Sequence, residues 1–278
     1  MEFFSILLAG LFGSLSPLSW IVDQRVEAAF RSRVHEVETL AVRVDNTPNY
    51  QLFNGNLQRL RLASRGVELT PDLRLKAFAM ETDAISVDFE TFREGNFSSL
   101  SQLQNTLKQP LNTAFQVTLT ENDLNRFFAT PAVKTRLSAI AQRIAQQLPS
   151  PRNQRYELLS STVEFRDDQR LGINLKLRVS RPQREAFRDF TVYFASALNI
   201  QQGKQLLLVD PVVRVDGEPL SGQFVNILRQ RIQSRFNLAN LDQKQMIARL
   251  LQLKIEEDEV KLAAFVQIAN GAGDDSAC

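Results

Sequence analysis

From Leu171 to Val179 apolar and polar residues alternate without a fault, with Leu171, Ile173, Leu175, Leu177 and Val179 set against Gly172, Asn174, Lys176 and Arg178. A period of two places each set on its own face, so this segment predicts a strand of an antiparallel sheet with one apolar face. Asp167-Asp168 turns the chain just before it, which makes Leu158 to Phe165 its hairpin partner. Phe190 to Ile200 and Leu206 to Val215 predict a second pair joined around Gly203, and Asp216-Gly217 ends the block. The same period recurs from about 37 to 92: in Leu40, Val42 and Val44, in Leu60 and Leu62 among Arg59, Arg61 and Arg65, in Leu73 to Met80, and in Ile85 to Phe89. Asn46-Thr47-Pro48, Asn54-Gly55 and Gly66 punctuate this stretch, which predicts a meander of short strands. Phe115, Val117 and Leu119 predict one short strand, and 249 to 256 with 259 to 268 a last hairpin turning at Glu257-Asp258.

Elsewhere the period lengthens to that of a helix. Between Pro17 and His35, Val22, Val26, Ala29 and Phe30 share a face. Thr120 followed by Asp123 is a capping-box variant opening a short helix to Ala129. Thr130-Pro131 is an N-cap followed by proline at the first helical position. Val133, Leu137, Ile140, Ala141, Ile144 and Leu148 then form an apolar stripe that Pro149 and Pro151 end. Leu220 to Phe236 predicts a last helix with Phe224, Ile227, Leu228 and Ile232 inward. Helices alternate with groups of strands and not with single strands, the pattern of an α+β fold with antiparallel sheets.

The 278 residues divide into a hydrophobic start (1–20), one α+β domain (21–269) and a short tail (270–278). Phe3 to Trp20 is almost uncharged, and three readings stay open for it: a retained membrane-seating segment, a signal-like segment, or an element buried in the fold.

The chemistry is sparse. Cys278 is the only cysteine and His35 the only histidine, which leaves no intramolecular disulfide and no Cys/His metal cluster. The sequence holds no phosphate-binding loop, no nucleophile elbow and no dinucleotide fingerprint. Acidic residues gather at Glu81, Asp83, Asp88 and Glu90 and again from Glu256 to Glu259, near strand ends and turns where solvation is expected. No catalytic residue, metal or cofactor is predicted, and the chain is expected not to be an enzyme. The net charge of +2 argues against non-specific nucleic-acid binding.

Two features point to lipid instead. Phe190 to Ile200 is apolar on both faces, with Phe190, Val192, Phe194, Leu198 and Ile200 on one and Tyr193, Ala195 and Ala197 on the other. An antiparallel strand with one wet face alternates cleanly, so each face here needs a cover. A helix on one side and an alkyl chain on the other would supply it, as would the protein's own elements on both sides. Nine strand residues span about 30 Å, twice the roughly 15 Å hydrocarbon depth of one leaflet. Leu171, Ile173, Leu175, Leu177, Phe190, Val192, Phe194 and Leu198 are therefore the candidate lipid-binding residues. The second feature is charge. Lys134, Arg136 and Arg143 on one helix and Arg229, Arg231 and Arg235 on the other occur without an acid, which suits an anionic membrane surface or a solvated helix face.

The order of these motifs resembles the LmeA-like phospholipid-binding family of bacterial cell-envelope proteins. The likeness covers about residues 18 to 268 and is carried by ETLAVRVDNTPNYQLFNGNLQRLRLASRGVEL and LTENDLNRFFATPAVKTRL, followed by hairpins and a basic helix. It implies phospholipid as ligand, association with a membrane of the bacterial envelope, no catalysis, and a curved antiparallel sheet wrapped around amphipathic helices, similar to tubular lipid-binding folds. It implies no residue-level site. The alternative is a structural or interaction protein of the envelope without a lipid, whose protein partner the sequence does not name.

Overall fold

Two antiparallel sheets carry most of the chain in the computed structural model, which describes residues 21–45, 54–88, 100–145, 154–181 and 184–271. The predicted hydrophobic start, the Asn46-Thr47-Pro48 break, the Pro149 and Pro151 stop and most of the predicted tail lie outside the described residues. The residues divide into two compact units. One takes the chain up to Thr118 with Leu238–Gln252 and the residues from 262 onward; the other takes Leu119–Asn237 and Leu253–Lys261.

The first unit opens with helix α1 (Ile21–Arg31), then strands β1 (Glu36–Asp45), β2 (Asn56–Leu57), β3 (Arg59–Thr70), β4 (Leu73–Thr82) and β5 (Ile85–Ser86), helix α2 (Leu100–Thr106) and strand β6 (Leu111–Thr120). A 3-10 turn (Leu238–Lys244) leads to β12 (Met246–Ile255) and β13 (Glu259–Ile268), which complete a six-stranded sheet in the order β1-β3-β4-β6-β13-β12. Register aligns Val42 with Leu62, Leu62 with Met80 and Met80 with Phe115, so these four strands turn one apolar face to the core. Leu60, Leu62 and Met80 are buried there, and Phe30 of α1 stacks on Phe78 of the same face at 6.3 Å. Full burial of such a side chain contributes roughly 1.5–3 kcal/mol.

Two glycines carry special backbone here. Gly55 (φ +75°) makes the predicted Asn54-Gly55 turn, and a Cβ there would collide with the Val87 carbonyl. Gly66 corrects an expectation: it does not end a strand but lies inside β3 at φ +58°, where a Cβ would strike the Glu38 carboxyl. A glycine within a strand marks close approach of a neighbour as readily as it marks a turn. β6 is also longer than predicted, because Thr113 and Thr118 are buried and threonine suits a pleated surface. Helix α2 was not predicted; its polar sequence hides Leu103 and Gln104, both buried.

The second unit holds helices α3 (Glu121–Phe128) and α4 (Pro131–Ala145), strands β7 (Arg155–Arg166), β8 (Arg170–Arg181), β9 (Arg184–Gln201), β10 (Gln205–Val215) and β11 (Glu218–Pro219), and helix α5 (Gly222–Arg235). The five strands run in the order β11-β10-β9-β8-β7. Both predicted helix starts are present. Thr120 Oγ1 accepts from Asp123 N–H at 3.0 Å and donates to its carboxylate at 2.7 Å. Thr130 caps α4 from the position before Pro131, its Oγ1 accepting from Val133 N–H at 3.4 Å.

The apolar stripe of α4 does not set which face meets the sheet. Ser138 Oγ accepts from Leu158 N–H at 2.9 Å, Gln142 Oε1 accepts from Tyr156 N–H at 2.9 Å, and Ile140, expected inward, is 49% exposed. In α3, Asn125 pairs with Val163 through both its carbonyl (2.6 Å) and its amide (2.9 Å), and Glu121 accepts from Phe165 N–H at 2.7 Å. β7 is an edge strand whose outward backbone groups need partners, and these side chains occupy the place of a sixth strand. In α5, Ile227 was also expected inward and is 45% exposed.

Candidate functional site

Pairing across the second unit's sheet sets the candidate residues side by side. Ile173 faces Phe194, Leu175 faces Val192 and Leu177 faces Phe190, with Leu171 opposite Ser196. On the far side of β8 the same residues meet Phe165, Val163, Ser161 and Leu158. All eight therefore lie in one apolar field, read from a period of two and a hairpin register. Leu171 and Leu198 pack against the buried cluster of Val163, Phe165 and Ile255, together with Leu124, Phe128 and Val260. Leu177 is buried. Ile173, Leu175, Phe190, Val192 and Phe194 are only half-buried. Tyr156 meets Phe190 edge-on at 6.3 Å with its hydroxyl bonded to Gln154 at 2.8 Å, which leaves its ring to the apolar field. Helix α4 lies along β7 and α5 along β10, at opposite sides of the strand order, and the half-buried residues belong to the strands between.

The reverse face of β9 differs from expectation. Tyr193 stands between Asn174 and Arg214, and Ala195 between Gly172 and Val212. Arg166 lies over the Tyr193 ring at 5.6 Å and reaches toward Gly172, so a long polar side chain lies on this face at Tyr193 and Gly172. Nearby, Arg178 holds Asp189 in a two-pronged pair at 2.7 and 3.0 Å, which lowers the carboxyl's pKa, and stacks on the exposed Phe187 ring at 4.2 Å.

The candidate cations take different positions. Arg136 and Arg143 are exposed on α4 with the exposed Ile140 between them, while Lys134 is half-buried. On α5, Arg231 is exposed and Arg229 half-buried; Arg235 falls in the last turn of the helix.

The sequence reading missed a trough in the first unit. The sheet face opposite the core carries two depressions of about 510 and 400 Å³, which share Ala41, Ala63, Ala79 and Gln116. Three rows cross the strands: Thr39, Arg65, Ala77 and Thr118; then Ala41, Ala63, Ala79 and Gln116; then Arg43, Arg61, Glu81 and Ala114. The larger depression continues to Ala263 and Leu251. The third row is ion-paired: Asp45 meets Arg43 at 2.7 Å and Arg61 at 2.8 Å, and Glu81 meets Arg59 at 3.4 Å. The Arg43 hydrogen bond is the main cause of a lowered Asp45 pKa. The available signal was Ala77 and Ala79 alternating with Phe78 and Met80, a small-residue face rather than a polar one.

Glu256 is held down to about 2 by hydrogen bonds from Lys254 and Lys261, the reverse of the raised carboxyl that a general acid needs. His35 is exposed after α1, its backbone N–H donating to the Glu68 carbonyl at 2.6 Å. Among the described residues no group of acids, histidines and cysteines is placed to hold a metal, and no helix is long and apolar enough to cross a membrane.

A family model described as LmeA-like phospholipid-binding matches residues 13–265. No curated protein matches the chain. Among solved structures, a crystal structure of lipopolysaccharide binding protein aligns over 84% of this chain and 86% of that one, at 10% identity and a TM-score of 0.23.

Proposed function

The chain belongs to the LmeA-like phospholipid-binding family, and from that premise we propose that it is a membrane-associated, non-catalytic phospholipid-binding protein that holds acyl chains against the apolar face of β8 and β9. The observation that carries this reading is the half-buried field of Ile173, Leu175, Phe190, Val192 and Phe194. These residues keep apolar surface that a ligand can cover, and burying an alkyl chain on them contributes roughly 0.8 kcal/mol per methylene. The exposed trio Arg136, Ile140 and Arg143 supports contact with an anionic leaflet, since one apolar and two cationic groups meet the headgroup layer together. A bacterial envelope location, a sheet curved around its helices as in tubular lipid-binding folds, and a role in lipid transfer or sensing belong to the same proposal.

The test is mass spectrometry of organic extracts from protein purified without detergent, beside flotation with vesicles. Wild-type protein is expected to carry phospholipid, and Phe194→Asp to lose that bound at β8 and β9 with an unchanged circular dichroism spectrum. Lipid-free protein that ignores vesicles and recovers one stoichiometric protein partner would establish the interaction-protein alternative.

A further inference from the structure

We propose that the trough on the first unit's sheet is a second lipid site, which takes a phospholipid by its phosphate at Arg65 and lays an acyl chain across the strands toward Leu251. The inference rests on the reading that the chain binds phospholipid, but it uses a separate sheet and separate residues. Its volumes, about 510 and 400 Å³ in continuous depressions, fall within the roughly 300–1,000 Å³ of small-molecule sites. The wet face of an antiparallel sheet ordinarily carries long polar side chains. Here Ala41, Ala63, Ala79 and Ala114 leave an apolar floor, and Leu251 at its far end is 61% exposed. Strands about 4.8 Å apart give a path of about 19 Å from β3, which carries Arg65, to β12, which carries Leu251, enough to lay an extended acyl chain across them.

Charge sets the orientation. At one end Arg43 and Arg61 are neutralised by Asp45 and Glu81, at distances of 2.7 to 3.6 Å. At the other, Arg65 is exposed, lines the smaller depression beside Thr39, Gln116 and Thr118, and pairs with no carboxylate among the described residues. A guanidinium with hydroxyl and amide neighbours presents donors to the several acceptor oxygens of a phosphodiester. The paired end offers no comparable free charge, so head and tail have one favoured direction.

The experiment is native mass spectrometry of the full chain after incubation with vesicles of phosphatidylcholine and phosphatidylglycerol. Wild type is expected to retain two phospholipids, while Phe194→Asp and Arg65→Glu each retain one and the double variant none. Arg65→Glu is expected to weaken the second lipid roughly ten-fold or more, and Arg65→Lys much less. Ala79→Phe, at an exposed position that accepts bulk without disturbing the core, is expected to block the same lipid. If Arg65→Glu and Ala79→Phe both retain two lipids, or if Phe194→Asp alone removes all lipid, the trough is not a site. An Arg65-dependent mass that proves to be a free fatty acid overturns the phosphate assignment. Failure of the first reading looks different: one lipid that persists in Phe194→Asp and vanishes in Arg65→Glu.

Discussion

The two sheets treat their faces in opposite ways. In the six-stranded sheet one face has a fully buried centre at Leu60, Leu62 and Met80, flanked by half-buried Val42, Phe78 and Phe115, and the other is an alanine-floored trough. In the five-stranded sheet the apolar face is half-open around Ile173, Leu175 and Phe194, while the reverse face is clothed by Arg166, Tyr193 and the Arg178–Asp189 pair. The first arrangement separates stability from surface, since its core residues are not those at the trough. The second combines them, because residues that hold the strands together also face outward. A hydrophobic substitution should therefore cost much more stability in the first sheet than in the second, and the second sheet has more room for a ligand to add stability.

The largest test of that contrast is Leu62→Ala against Leu175→Ala. Leu62 is 2% exposed, and its truncation is expected to cost about 2–5 kcal/mol in urea unfolding. Leu175 is half-buried, and its truncation should cost roughly 1 kcal/mol because part of its transfer free energy is already missing. Equal losses would mean that the second field is closed in solution. Saturating phospholipid should raise the melting temperature of wild type more than that of Phe194→Asp.

A middle-sized effect concerns the sealed edge. Asn125→Ala removes both bonds to Val163, at an expected cost of about 1–3 kcal/mol, and should speed hydrogen exchange at the Val163 amide. Light scattering should also show self-association through the freed strand, since an uncovered edge recruits other strands. Unchanged exchange at Val163 would mean that water satisfies the edge equally well.

The smallest effect depends on pH. Glu256 has its folded pKa lowered from the ordinary 4.5 to about 2 by Lys254 and Lys261. A lowered carboxyl pKa stabilises the folded state fully above the unfolded pKa and loses that contribution as pH falls through the folded one. The melting-temperature difference between wild type and Glu256→Gln should hold at neutral pH and fade between about pH 4.5 and 2. Because the group is solvent-screened, a modest difference that salt reduces is expected. A difference that grows on acidification would contradict the assignment.

Much of the secondary structure was legible because it depends on neighbours in sequence. The period-two run at Leu171 to Val179, the Thr120 and Thr130 caps and the Glu257-Asp258 turn each state a local preference that the folded chain keeps. The failures share a different origin. Gly66 resembled a turn, but its positive φ serves a close approach by Glu38 from another strand. The α4 stripe suggested an inward Ile140, but the edge of β7 required hydrogen-bonding partners and turned Ser138 and Gln142 toward it. Tyr193, Ala195 and Ala197 resemble a second apolar face in sequence, but the Arg166 side chain lies over Tyr193 on it.

By itself, then, the sequence determined which segments are strands and helices and which side of each strand is apolar, because side-chain direction follows from backbone period alone. Tertiary structure decided which apolar faces are covered. Asn125 meets Val163 across 38 residues of chain, and Ala41, Ala63 and Ala79 form one floor only because three strands align in a single register. Whether a face becomes core, trough or half-open field depends on what the rest of the chain brings against it, and local periodicity carries no information about that.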